Sequence, residues 1–145
     1  MTVSNGDFLS FAEAVMKADG LTEIHHRNVV SRAYYGVYLS ARHFQDKIPY
    51  HADCDKLGTH GKVTKQIERM IVGSPYGRDL TMEIKSIGYK LKQLCERRRK
   101  ADYDLDETVI EEEAITQLNE CKALLPRVVA AHVAIDQAMA AGATV

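Results

Sequence analysis

Four consecutive cations, Arg97 to Lys100, close the most regularly patterned segment of this 145-residue chain, and Asp102 and Tyr103 follow at once. Residues of these types are suited to phosphate. Arginine carries a permanent charge on a planar fork that matches phosphate oxygens. A tyrosine hydroxyl donates to a phosphate, and its ring stacks on a base. Histidine would add proton transfer near neutrality. The candidate is His60, three residues before Val63 and so on the same inner face of its segment. A place in the first turn of a helix disfavours the imidazolium and favours the neutral ring.

The spacing separates one arginine from its neighbours. Leu80, Ile84, Ile87, Leu91 and Leu94 follow steps of 4, 3, 4 and 3, and the next step of four lands on Arg98. A strip of this kind faces a packed neighbour. Arg98 is therefore expected to turn inward, where a charge is costly without a partner or a task. Asp102 lies four residues on, within reach as that partner. Arg97, Arg99 and Lys100 fall off the strip. They suit either a solvated helix end, which the macrodipole favours for cations, or contacts to RNA.

Helical spacing of apolar residues extends over nearly the whole chain and predicts five helices. The first covers about Gly6 to Ala18, with Phe8, Phe11, Val15 and Ala18 on one face and Asp19-Gly20 as its stop. The second starts near Thr22 as N-cap and carries Val30, Tyr34, Val37, Ala41 and Phe44 inward, ending before Ile48-Pro49. Arg32 sits off that stripe, available to a carboxylate or to ligand phosphate. The third runs from Thr59 to Val72 with Val63, Ile67 and Met70 inward, before Gly73-Ser74-Pro75. The fourth is the strip ending at Arg98. The fifth begins near Thr108 in a capping box with Glu111 and places Ile110, Ala114, Leu118, Cys121, Leu125, Val128, His132 and Ile135 inward, with a kink at Pro126. The fold class is all-α, an up-down antiparallel bundle of about five helices in one domain over residues 1–145. Such a bundle would gather Arg42, His43, His60, Arg98, Asp102 and Tyr103 at one pole.

Bulk properties bound the function. The net charge is −1, yet residues 78–100 hold eight Lys/Arg against three Asp/Glu, whereas residues 101–120 hold eight Asp/Glu and no Lys/Arg. The two blocks suit mutual neutralisation on packed helices or a local basic surface for nucleic acid. No apolar run approaches the ~18–20 residues of a membrane span. No leader peptide is visible, and three cysteines at irregular spacing suit free thiols in a cytoplasmic protein. His51-x-x-Cys54 and His25-His26 lack the repeated pairs of a structural zinc site, so neither a metal nor a cofactor is expected. Phosphate loops, nucleophile elbows and a helical His-Glu-x-x-His are absent.

Three pieces taken together resemble the HEPN family, the helical proteins named for higher eukaryotes and prokaryotes nucleotide-binding. They are Ser31-Arg32-Ala33-Tyr34-Tyr35-Gly36-Val37-Tyr38, then Thr59-His60-Gly61-Lys62-Val63, then Arg98-Arg99-Lys100-Ala101-Asp102-Tyr103-Asp104. The resemblance covers about residues 25 to 125. It implies a bundle that homodimerises, in a toxin–antitoxin or defence setting, with a nucleotidyltransferase-type antitoxin as partner. It also implies metal-independent ribonuclease chemistry, from an Arg and a His separated by four to six residues and contributed by two subunits. Arg98 matches that Arg, but Tyr103 stands where the His belongs. A phenol with a pKa near ~10 is a poor base at pH 7. The first expectation is therefore a noncatalytic module that binds RNA, a nucleotide or a partner protein through Arg32, Arg97, Arg99, Lys100 and Asp102. The alternative is an endoribonuclease using Arg98, Tyr103 and His60 as displaced base.

Overall fold

The computed structural model describes residues 2–49, 56–70 and 75–142. Among the described residues five α-helices make up the fold: α1 Asn5–Met16, α2 Glu23–Ala41, α3 Thr59–Glu68, α4 Arg78–Tyr103 and α5 Glu111–Ala140. A 3-10 segment, Arg42–Asp46, extends α2. The expected all-α bundle is what forms, and no strand occurs among the described residues.

The helix starts follow from local chemistry. Asp7 accepts the Ser4 amide at 2.6 Å, and the His25 ring nitrogen accepts the Thr22 amide at 3.0 Å, each satisfying a donor left orphaned by a helix N-terminus. Thr22 is the N-cap of α2, as expected. The start of α5 differs: its N-cap is Ile110, and Glu113 rather than Glu111 reaches back to the cap amide, at 2.9 Å. Ile110 has no side-chain acceptor, so that single backward bond does the capping and Thr108 stays outside the helix. Ile110 itself is 49 % exposed, not on the inner stripe. The helix continues unbroken through Pro126.

α2 is the central helix. Val30, Tyr34, Val37, Ala41 and Phe44 are buried as expected, but so are Val29, Ala33, Tyr38 and Ser40, because α1, α4 and α5 enclose α2 on several sides. The expected face of α1 is rotated. Leu9 and Ala12 are buried and Phe11 is 55 % exposed, since α1 lies against α2 at Gly36, where an added Cβ would sit 3.0 Å from the Asn5 carbonyl and 3.1 Å from Leu9. A second close approach sets α3 on α4: a Cβ on Gly88 would lie 2.5 Å from the buried Ile67.

Helix directions place the site. α5 runs parallel to α2, since Gln117 reaches the Val30 carbonyl and His132 the Ser40 carbonyl. α4 runs antiparallel to α5, with Lys100 paired to Glu113 and Glu83 to Arg127. α3 is antiparallel to α4 and follows the second half of α2 in the same direction: His60 meets Tyr34, whereas Gln66 donates to the carbonyls of Gln45 and Ile48. The start of α2, not its end, therefore lies at the end of α4. The expected pole is corrected accordingly. His43 stands beside His132 at the other end of α2, and Arg42 is exposed there.

Candidate functional site

Arg98 is turned inward and is only 4 % exposed. Its guanidinium carbon lies 5.4 Å from the Tyr34 ring centre, 6.0 Å from Tyr35 and 5.8 Å from Tyr103. These distances sit at the outer edge of cation–π range. Asp102 on the next turn of α4 is 3.6 Å from Nη1, and Nη2 points at the Cys95 sulfur at 3.7 Å. The Ser31 hydroxyl donates to Asp102 at 3.3 Å, which ties the carboxylate to α2. Nε has no hydrogen-bond partner among the described residues. The charge is thus held by ring faces and one half-open carboxylate, an arrangement that keeps it from leaving α2 but offers a phosphate little access.

His60 belongs to the same assembly. Its Nδ1 is 2.7 Å from the Tyr34 hydroxyl, and its ring packs 4.2 Å from the Tyr38 ring centre. Burial lowers its pKa, and the Arg98 and Arg99 charges lower it further against the opposing pull of Asp102. The ring is therefore neutral at pH 7, as expected, with burial as the largest cause and the two arginines adding to it. Burial and a hydrogen bond to Cys95 drive the Tyr34 phenol far above its usual range, so it stays protonated. If Nδ1–H donates to Tyr34 and Tyr34 to Cys95, His60 Nε2 is free to accept a proton. The reverse order puts the proton on Nε2 and removes the base.

Outside this closed assembly lies a groove of about 310 Å³ between α3 and α4. His60, Lys65, Lys92 and Arg99 face it together with Glu68 and Glu96, with Cys95 in its wall. Lys65 and Lys92 are both paired with Glu68, at 3.7 and 3.5 Å. Arg99 is exposed on its rim. Here the helix presents cations that solvent and a ligand can reach.

The remaining expected residues separate into two groups. Arg32 is exposed and lies over the Tyr35 ring at 5.2 Å, next to the Arg98 assembly, and Tyr103 is 70 % exposed although its ring borders Arg98. Arg97 and Lys100 point the other way. Arg97 is bonded to Glu120, and Lys100 to Glu113 at 2.6 Å, both across to α5. For these two cations the segregated charge blocks neutralise one another on packed helices.

Sequence reading does not single out Arg27, which is 7 % exposed. Its Nη1 donates to the carbonyls of Ala101 at 2.9 Å and Lys100 at 3.2 Å. Its Nη2 donates to the Asp104 carbonyl at 3.2 Å and to the Glu107 carbonyl, and Glu23 pairs with it at 2.9 Å. A cation here satisfies orphan carbonyls at the α4 C-terminus and complements the dipole. It thereby fixes the turn that carries Asp102 and Tyr103. The signal was present: Arg27 is the stripe Val30–Tyr34–Val37 extended back by three.

No group of three or more metal-binding side chains occurs among the described residues. His25 is bonded to Thr22, and His26 lies 3.3 Å from the Val109 carbonyl. His51 and Cys54 lie outside the described residues. Cys95 and Cys121 are free thiols, and burial pushes Cys121 up to about 12. No described helix is long and apolar enough to cross a membrane. No protein-family model, curated protein or solved structure matches the chain.

Proposed function

We propose that this chain is a noncatalytic HEPN-like module that binds RNA or a nucleotide, as a homodimer in the cytoplasm, in a toxin–antitoxin or defence setting with a nucleotidyltransferase-type partner. The setting and the partner rest on the resemblance of the three motifs. The single observation that carries the binding reading is the division of labour on α4: Arg98 is enclosed by tyrosines, whereas the adjacent Arg99 faces a groove with Lys65, Lys92 and His60. Enclosed, Arg98 organises the surface, and Arg99 supplies the charge that meets phosphate, joined by Lys65 and Lys92 where phosphate displaces their shared partner Glu68. Tyr103, exposed beside them, is available for stacking on a base.

A labelled single-stranded RNA, followed by fluorescence anisotropy at several salt concentrations in chelator, tests this. The expected result is reversible, salt-sensitive binding that weakens in Arg99→Ala and Lys92→Ala, with the RNA intact. Salt-insensitive or absent binding would remove the proposal.

A specific observation favours a second reading. The neutral His60, bonded to Tyr34 and close enough to feel the Arg98 charge, has the components of a base beside a cation. In that case the protein is a metal-independent endoribonuclease. Its rate would rise with pH as His60 loses its proton, over a range below the ordinary histidine value of 6.5. Cleavage in chelator that is lost in both His60→Ala and Arg98→Ala would establish this reading over the first.

A further inference from the structure

The end of α2 is fastened to α5 by one histidine. His132 Nε2 is 2.8 Å from the Ser40 carbonyl, and a carbonyl only accepts, so Nε2 carries the proton. The neutral ring then has a bare Nδ1. That atom is buried and has no hydrogen-bond partner among the described residues. The ring lies against the fully buried Phe44, with centres 4.2 Å apart and an interplanar angle of 27°. Every part of this pocket suits an uncharged imidazole.

A second proton would go to Nδ1, where nothing accepts it. It would create a charge against Phe44 and close to other cations. Lys47, after the 3-10 segment, and His43, whose ring is 6.4 Å away, both oppose it. Two groups favour it: the Ser40 carbonyl, which accepts from Nε2, and Asp136 on the next turn of α5, which is already paired with Lys47 at 3.0 Å and is largely exposed. Burial is the largest influence and acts in the same direction as Lys47 and His43.

We infer that His132 is an acid-operated latch: mild acidification protonates it and releases the C-terminal half of α5 from the end of α2. The elements it would free include Val128, Ala131 and Ile135, which complete the core at that end. The sign follows from linkage. A histidine whose pKa is depressed by folding binds its proton more readily in the unfolded chain, so its contribution is complete above about 6.5 and is lost as the pH falls further. The latch stands on the His132–Ser40–Phe44 geometry alone and does not depend on the nucleic-acid reading.

Hydrogen exchange by mass spectrometry at pH 7.5 and 5.5, corrected for intrinsic exchange rates, tests it on the whole protein. Residues 128–140 are expected to lose protection in acid by at least several-fold more than α4 does. In His132→Gln, whose amide can donate to Ser40 without charging, that extra loss should disappear, whereas His60→Gln should keep it. Uniform loss across α4 and α5, or the same loss in His132→Gln, would overturn the latch. Should His132→Gln fold poorly, the ring nitrogens of the wild-type protein decide by NMR. A protonated Nε2 and a midpoint below 6.5 support the latch, and a midpoint at or above 6.5 overturns it.

Discussion

Replacing Arg98 with alanine separates a structural charge from a ligand-binding one. Three ring faces near the outer edge of cation–π range contribute about 0.5 kcal/mol each, or about 1.5 kcal/mol together. The ion pair with Asp102 is offset in large part by the cost of taking the guanidinium out of water. Breaking a buried pair costs about 3–5 kcal/mol when the abandoned partner is stranded. Asp102 is not stranded, because its side chain is 27 % exposed and keeps the Ser31 hydroxyl. The lower end applies, and with the void left by the side chain the expected loss is about 3 kcal/mol. For a chain of this size that lowers Tm by about 6–12 °C. Arg98→Met keeps most of the volume and removes the desolvation cost, so it should lose only about 1–2 kcal/mol. Urea and thermal unfolding by circular dichroism measure all three proteins. An Arg98→Ala protein within ~1 kcal/mol of wild type would mean that the tyrosines do not hold this charge, and the argument for Arg98 as an organiser of the groove would fall with it.

Arg27→Met should cost about 2–4 kcal/mol, because the Ala101 and Glu107 carbonyls lose their donor and Glu23 its cation, whereas the Lys100 and Asp104 carbonyls keep backbone amides. A cost under ~1 kcal/mol by urea unfolding would contradict that bonding pattern. Gly88→Ala gains about 1 kcal/mol of helix propensity but drives a methyl into Ile67, which cannot yield inside a packed core, so a net loss of about 1–2 kcal/mol is expected. Arg99→Ala should leave Tm within about 2 °C of wild type, since the side chain is exposed, while weakening RNA binding. Acid titration provides a further check. Arg127 holds the Glu83 carboxyl below the ordinary value of 4.5, so the pair's contribution is present above 4.5 and is lost as the pH falls through the depressed value. Glu83→Gln should flatten the stability profile in that range, and an unchanged profile would show the pair to be idle.

Much of this architecture was written in local chemistry. The 4-3-4-3 strip of α4 required a buried face, and its continuation required Arg98 to lie on it, because helical periodicity does not depend on what the neighbours are. The same holds for the stripe of α2, the Thr22 cap and the Arg98–Asp102 spacing on one helix face. Where the buried residues keep to one side of a helix, as along α4, apolar spacing names that side. Where burial extends around the helix, spacing loses its meaning. α2 buries residues around most of its circumference, and Arg27 escaped notice although it continues the stripe.

Other features depend on which helices meet, and no local pattern encodes that. The rotated face of α1 comes from contact at Gly36, and the closeness of α3 to α4 from Gly88. Directions are likewise a property of the assembled chain: a long connection before α3 leaves its course open, and the course taken sets His60 against Tyr34 and Tyr38 instead of beside His43. The charge blocks show the same division. Their opposite signs are visible in one dimension, but only packing shows that Arg97 and Lys100 are consumed by α5 while Arg99 is left facing the groove. Sequence by itself determined the helices, the Thr22 cap and the inward arginine, since these depend on residues three or four apart. Tertiary structure decided which tyrosines enclose that arginine and which cations stay accessible, since these depend on residues 13 to 71 positions apart in the chain meeting across helix faces.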